Sequence, residues 1–483
     1  MFRKSAIALI LFFGSLPLAG QAKHWKEIEI PPLREFRIQQ PVRIELPNGM
    51  LILLQEDREL PLIGGTALIR GGGRDVPAGK TGLIGIYGSV WRTGGTTTRT
   101  GDQLDDILEA KAASVETSGS QSSTSVSFDA LKEDFDFVFG IFDDVLRNPA
   151  FREDKIALAK AQTATGIARR NDDPGQIASR EAVRIAYGPD SPYSRITEYS
   201  TLAAISREDL VAWHSRTVHP NNIILGIVGD FDAKQMEAKL RKRFGGWKRG
   251  PAVETVEMEF ADPRPGVYFI AKEDVNQSSI RMVHLGIRRD NPDYFAVEVL
   301  NEIFSSGGAS RLFASLRSRQ GLAYSVGGGV GAGYDYPGLF TLSMGTKSES
   351  TAAAIEGLRE ELRILLEDPI TAEEVARAKQ AILNSYVFRF DSKSKVISEQ
   401  MSLAFYDYPA DFTARFRAGV EGVTAEDVKR VARKYVHPER IALVVVGNPA
   451  GFDKPLTAFG EVTPIDITIP PPPAPPSGGD GQK

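Results

Sequence analysis

Apolar residues recur along this chain at two periods. Residues 102–113 place Leu104, Ile107, Leu108 and Ala112 at i, i+3, i+4 and i+8, which is one face of a helix. Residues 134–147 repeat the pattern with Phe135, Val138, Phe139, Phe142, Val145 and Leu146. Between them, SVETSGSQSSTSVSF (114–128) alternates polar and apolar positions and is rich in Ser and Thr, which predicts a strand serving as a hairpin arm. Residues 294–304 and 351–365 read as helices, and 266–271, 280–287, 323–332 and 338–345 read as strands. Helices and strands interleave, and several strands follow hairpin-like turns. That predicts an α+β sandwich architecture rather than a doubly wound parallel sheet.

One block occurs twice. ISREDLVAWHSRTVHPNNIILGIVGDF (205–231) and VTAEDVKRVARKYVHPERIALVVVGNP (423–449) each give a polar cap, an amphipathic helix, a V-H-P turn and an apolar strand ending in V-G. His219 and His437 stand 218 residues apart. A repeat of that length predicts two similar domains in tandem, related by duplication. Gly250-Pro251 and Pro263-Arg264-Pro265 break the chain between the halves. The expected organisation is a signal peptide (1–22), an N-terminal domain (23–247), a linker (248–265), a C-terminal domain (266–462) and a disordered Pro/Gly-rich tail (463–483).

Composition narrows the setting. Arg3 and Lys4, the short apolar run Ala6–Leu18 and the small residues Gly20 and Ala22 form a secretory signal, with cleavage expected after Ala22. The run is shorter than the ~20 residues that span a bilayer. No Cys follows it for a lipid anchor, and the chain has no Cys at all. A periplasmic or secreted protein stabilised by its core alone is expected. Removing Arg3 and Lys4 with the leader takes the formal net charge from −4 to −6, which speaks against non-specific nucleic-acid binding. Membrane insertion is not expected either. GRDVPAGKT (73–81) imitates a phosphate-binding loop, but five residues rather than four separate Gly73 from Gly79, so nucleotide binding is set aside.

The stretch GLIGIYGSVWRTGGTTT (82–98) carries the main clue. With L-P-N-G (46–49), GGGRDVPAGKTGL (71–83) and RTGDQLDDILE (99–109), it resembles the insulinase-like (pitrilysin-type) zinc peptidases, which carry G-x-x-H-x-x-E-H at this place. The resemblance runs from about Ile44 to Gly460 and implies paired mitochondrial processing peptidase-type α/β sandwich domains that close into clamshells. In active members two His at i and i+4 hold one zinc ion, and the Glu between them takes a proton from the metal-bound water. Here the first His is replaced by Gly85, the Glu by Gly88 and the second His by Ser89. A further Glu ligand, expected 76 residues beyond the second His, falls at Thr165. The resemblance therefore implies no metal and no cofactor in this chain. Gly82, Gly85 and Gly88 recur every third residue in a presumed helix, where each costs about 1 kcal/mol relative to Ala. Close approach of another backbone and drift after loss of function both account for them.

The five histidines are His24, His214, His219, His284 and His437, and none stands in an H-x-x-E-H arrangement. His219 and His437 belong to the repeated turn, and His284 to an apolar strand, so structural roles are expected for all three.

The second half keeps a different part of the family's site. SRLFASLRSRQGLAYSV (310–326) matches its Arg/Tyr element, giving Arg317 and Tyr324. In the family these reach across the chamber toward the substrate at the zinc. A guanidinium offers a rigid fork of donors to peptide carbonyls, and a phenol stabilises an oxyanion. The implied role is a non-catalytic subunit of a heteromeric zinc peptidase. Its partner would be a homologous subunit that holds the zinc, and its substrate a peptide or unfolded segment captured along a sheet edge. The alternative is an inactive peptide-binding or assembly scaffold. An active hydrolase with an unconventional metal is the remotest reading.

Overall fold

A computed structural model describes residues 39–254 and 258–473. The expected signal peptide, its cleavage position, His24, the centre of the linker and residues 474–483 of the tail lie outside the described residues.

Fourteen strands are described. In the first half they are β1 (Val42–Glu45), β2 (Leu51–Glu56), β3 (Leu62–Arg70), β4 (Ser114–Gly119), β5 (Ser123–Leu131) and β6 (Ile223–Gly229). The second half adds β7 (Gly266–Ala271), β8 (Gln277–Leu285), β9 (Ile287–Arg288), β10 (Ser325–Val330), β11 (Ala332–Gly333), β12 (Leu339–Lys347), β13 (Ala442–Gly447) and β14 (Val462–Pro464). Helices α1 (Leu83–Thr93), α2 (Gly101–Glu109), α3 (Phe135–Arg147), α4 (Glu153–Ala168), α5 (Pro174–Tyr187), α6 (Tyr199–Ala204), α7 (Arg207–Thr217) and α8 (Ala233–Phe244) belong to the first half. The second half contributes α9 (Tyr294–Phe304), α10 (Thr351–Glu367), α11 (Ala372–Tyr386), α12 (Lys393–Phe405), α13 (Phe412–Gly422) and α14 (Ala425–Tyr435).

Two six-stranded mixed sheets result, ordered β1-β2-β6-β3-β5-β4 and β10-β12-β8-β13-β7-β14. Read from opposite ends, they correspond strand for strand. The duplication inferred from the two V-H-P blocks thus becomes two matching α+β lobes. The repeated blocks supply α7–β6 and α14–β13, and Ser206 and Thr424 cap their helices in reciprocal boxes with Asp209 and Asp427. One position breaks the match. β1 runs antiparallel to β2, whereas β14 runs parallel to β7.

The central strands are apolar on both faces because both faces are covered. In β2, Ile52 and Leu54 enter the first core, while Leu51 and Leu53 meet Ile397, Met401 and Phe405 of α12. In β13, Leu443 and Val445 enter the second core, while Val444 and Val446 meet Ile177, Ala178 and Ala182 of α5. Each half therefore lends one helix to the other half's sheet. Arg70, at the end of β3, latches α12 by donating to the carbonyls of Ala404 and Phe405. Arg281 of β8 donates to Ser179 of α5 at 3.0 Å. The buried Arg74–Asp335 ion pair adds a further tie between the halves.

Several sequence expectations change. The helix expected over 102–113 stops at Glu109, and Ala112 turns at φ +48°. The single arm expected at 114–128 is two strands, β4 and β5, folded about Ser120–Ser122, where Ser120 and Ser123 bond to one another. Residues 323–332 divide into β10 and β11. The tail expected to be disordered from 463 is built into the fold as far as Ile469. Thr463 and Pro464 belong to β14, and Ile465, Ile467 and Ile469 are half-buried against apolar clusters, a two-residue alternation suited to an extended strand. The described linker residues form no regular element. Asn221 and Asn222, which follow the first V-H-P turn, tack it down through Gly250, Pro251 and Val253.

Candidate functional site

The positions expected to carry zinc chemistry lie on α1, which packs between β4 and α4. Gly82 starts this helix at φ +103°, a left-handed conformation that glycine adopts without strain. Gly88 answers to a different constraint. Its backbone is helical, but a Cβ there would stand 2.6 Å from the amide nitrogen of Gly119 and 2.8 Å from the carbonyl carbon of Ser118. Gly119 reciprocates, since its own Cβ would come 2.5 Å from the carbonyl oxygen of Ile84. Helix and edge strand thus touch backbone to backbone where the catalytic Glu would stand. Thr117 seals the contact, its hydroxyl donating to the Gly88 carbonyl at 2.7 Å and accepting from the Arg92 amide at 3.3 Å. A Cβ at Gly85, by contrast, would meet nothing within 4 Å. Backbone conformation accounts for Gly82 and close approach for Gly88. No packing requirement accounts for Gly85.

The two hydroxyls that replace ligands are turned away from any ion. Ser89 Oγ donates to the Gly85 carbonyl at 2.9 Å, and Thr165 Oγ1 donates to the Ala161 carbonyl at 3.0 Å. Gly85 and Ser89 are exposed on α1, and Leu158, Ala161, Gln162 and Thr165 on α4, and none of these six is charged. Among the described residues no group of three or more His, Asp or Glu side chains is disposed to hold a metal ion.

One histidine reaches α1 from beneath. His214 Nδ1 pairs with the Tyr87 hydroxyl at 2.9 Å, and its ring stands edge-on to Trp91 with centroids 5.4 Å apart. Trp91 in turn donates to the Val145 carbonyl at 2.7 Å. Burial pushes the His214 pKa down to about 4, so the ring is neutral and part of the core. His284 is fully buried and stacks on Phe340 at 4.4 Å. Its Nδ1 is 2.7 Å from the Leu285 carbonyl, and its Nε2 accepts from the His437 amide at 3.3 Å. Those two partners fix a neutral tautomer, and burial lowers its pKa to about 4.

The second lobe presents the other candidates. Arg317 sits in a π-helical turn, Phe313–Arg319, closed by a bond from the Gln320 amide to the Ser315 carbonyl. Such wide turns are rare and often mark functional positions. The Arg317 guanidinium stands 4.9 Å from the Phe313 ring centroid and is otherwise exposed. Tyr324, just before edge strand β10, is 80% exposed. Among the described residues neither side chain makes a hydrogen bond or ion pair. Among the described residues no hydrogen bond or ion pair links Arg317 to Tyr324, although the Leu316 carbonyl accepts from the Leu322 and Ala323 amides and holds the two segments side by side. What the chain offers chemically is a sealed, donor-free helix on one lobe and a free guanidinium and phenol on the other.

Sequence reasoning missed Thr117 and Gly119, which close the site. An S-G-S turn inside a Ser-rich run was the available signal. It also missed the exchange of α5 and α12, although their starts lie 219 residues apart, nearly the repeat distance.

Comparison with known proteins gives a consistent picture. Residues 204–382 match the model for the peptidase M16 inactive domain, and residues 93–195 match that for insulinase (peptidase family M16). The second match begins at the last residue of α1, beyond Gly85, Gly88 and Ser89, and includes Thr165. An uncharacterized zinc protease of Streptomyces coelicolor is 23% identical over 73% of this chain and 78% of its own length. A probable inactive metalloprotease, YmfF of Bacillus subtilis, is 23% identical over 61% and 68%. A peptidase M16 inactive domain from Pseudomonas fluorescens shares the fold, with a TM-score of 0.78 at 23% identity over 87% of this chain and 100% of that one. So does a protease from Helicobacter pylori, with a TM-score of 0.76 at 18% identity over 85% and 100%.

Proposed function

The chain belongs to the insulinase-like peptidase family M16, and we propose that it serves as the non-catalytic subunit of a periplasmic heteromeric zinc peptidase. In this reading it closes one side of a chamber around peptides or unfolded segments. The zinc and its general base come from a homologous partner subunit. Arg317 and Tyr324 reach into that partner's site, Arg317 holding a substrate carbonyl and Tyr324 donating to the oxyanion as it forms.

One observation carries the reading. Among the described residues the exposed face where a metal would sit offers no ligand set, and the base position at Gly88 is closed by the contact with Gly119, while Arg317 and Tyr324 stand exposed. The inactive-domain match and the relative named as a probable inactive metalloprotease support the absence of catalysis in this chain alone.

The test is reconstitution with an H-x-x-E-H homologue from the same genome, assayed on unstructured peptides. Arg317→Ala and Tyr324→Phe are expected to lower kcat while the complex still assembles. Wild-type turnover in both variants would overturn the role of the pair. Assembly without any effect of this chain on turnover would favour an inactive scaffold.

A further inference from the structure

The segment Val462–Ile469 crosses from one lobe to the other. It leaves the second sheet as β14, and the Ile465 amide extends the ladder to the Phe269 carbonyl at 2.8 Å. Ile465 and Ile467 then pack into the cluster that α5 of the first half makes with Ile270, Val283 and Val444 of the second sheet. Asp466 Oδ1 accepts from the Thr468 amide and hydroxyl, at 2.8 and 2.6 Å, and shapes the next step. Ile469 finally rests against the first lobe's core.

Asn171 couples this segment to α5. Its amide nitrogen donates to the Ile467 carbonyl at 2.7 Å, and its amide oxygen accepts from Arg180 of α5 at 2.9 Å. Arg180 also donates to the Arg170 carbonyl at 2.8 Å and pairs with the buried Glu181. Both ends of one side-chain amide are thus committed, one to the helix and one to the terminal segment.

We infer that Val462–Ile469 is a releasable latch, which fixes the angle between the lobes by clamping α5 onto the second sheet through Asn171. Three packed elements join the lobes beside the Arg74–Asp335 ion pair: α5, α12 and this segment. The two helices bury Ile177 and Ala178, and Ile397, Met401 and Phe405, against the sheets they cover. The segment's three isoleucines are only half-buried, and β14 pairs over three residues. It is therefore the tie with the lowest opening free energy. Releasing it uncovers one edge of the second sheet together with the rim of α5.

Hydrogen exchange followed by mass spectrometry on the full chain tests this. Asn171→Asp keeps the acceptor for Arg180 and sets a carboxylate against the Ile467 carbonyl. Ile467→Asp removes the central apolar contact. Both are expected to speed exchange in α5 and β7 roughly tenfold or more while leaving β2 and β6 of the first sheet unchanged. Deletion of 471–483, which spares the latch, should change nothing. Asn171→Ala, which removes both bonds of the amide without adding a charge, should speed α5 exchange in the same way. The latch is refuted if α5 exchange is unaltered in both Asp variants, or if every segment accelerates together. Unaltered α5 exchange in Asn171→Ala refutes it equally where an Asp variant does not fold.

Discussion

Gly88 and Gly119 meet with no room for a side chain between them. A Cβ on Gly88 would stand 2.6 Å from the Gly119 amide nitrogen, and the Thr117 hydroxyl pins the strand to the helix beside it. The position of the family's general base is therefore not an empty socket. Edge strand β4 occupies it.

Opposite responses are expected from two neighbouring glycines. Gly85→Ala has open space and should stabilise the protein by up to about 1 kcal/mol through helix propensity. Gly88→Ala must push β4 away and should cost about 1–3 kcal/mol, the usual range for overpacking. Urea midpoints of the two variants measure this. Equal shifts in the same direction would contradict the close approach.

Restoring the ligands alone should not restore the enzyme. Gly85→His, Ser89→His and Thr165→Glu place donors on exposed positions of α1 and α4 and are expected to be tolerated. Adding Gly88→Glu should lower the melting temperature and yield no hydrolysis of unstructured peptides by the isolated chain. Zinc content by elemental analysis, together with peptide turnover, reads the outcome. Stoichiometric zinc with turnover in the fourfold variant would mean that β4 moves aside readily.

Acid should weaken the fold before the carboxylates titrate. His214 and His284 are held near pKa 4 against an ordinary 6.5, so the folded state binds fewer protons than the unfolded chain between those values. Their contribution is fully present above pH 6.5 and is lost progressively as pH falls toward 4. It amounts to about 3 kcal/mol for each ring by the lower limit. Urea midpoints at pH 7, 6 and 5 should fall accordingly. The double substitution Tyr87→Phe with His214→Phe, which removes the ring without orphaning the phenol, should reduce that slope.

Neither half is expected to fold alone. Residues 39–254 would expose Leu51, Leu53 and Ile224 where α12 sits, and residues 258–473 would expose Ile270, Val283 and Val444 where α5 sits. Each separate half should bind a hydrophobic dye and lack near-ultraviolet dichroism, and co-expression should restore both signals to those of the intact chain. A monomeric, well-packed half would show that the exchange is dispensable.

Much of this was legible from local pattern. The repeated V-H-P blocks gave the two-lobe plan, and Ser206 and Thr424 announced their helices through capping chemistry. The apolar runs of β6 and β13 read as strands, yet the pattern could not say what covered them. Nothing within a strand distinguishes a helix of its own half from one donated by the other. The sealing of the site was hidden for a related reason. A glycine records that something stands close, but not which strand stands there. The latch was readable in principle, since Ile465, Ile467 and Ile469 alternate strictly with polar residues. The prolines beyond them masked that signal.

The exchange of α5 and α12 has a consequence for synthesis. The first sheet is complete by Gly229, yet the helix that covers its far face is translated only at Lys393–Phe405. The second sheet waits longer still, because its outermost strand is β14, close to the chain's end. A ribosome making this protein from its N-terminus therefore cannot release a finished lobe and proceed to the next. The first lobe remains open-faced until α12 has emerged and the second until β14 has, so the two close together. Contacts this distant in sequence make for slow folding. They also make the two lobes a single cooperative event rather than two successive ones.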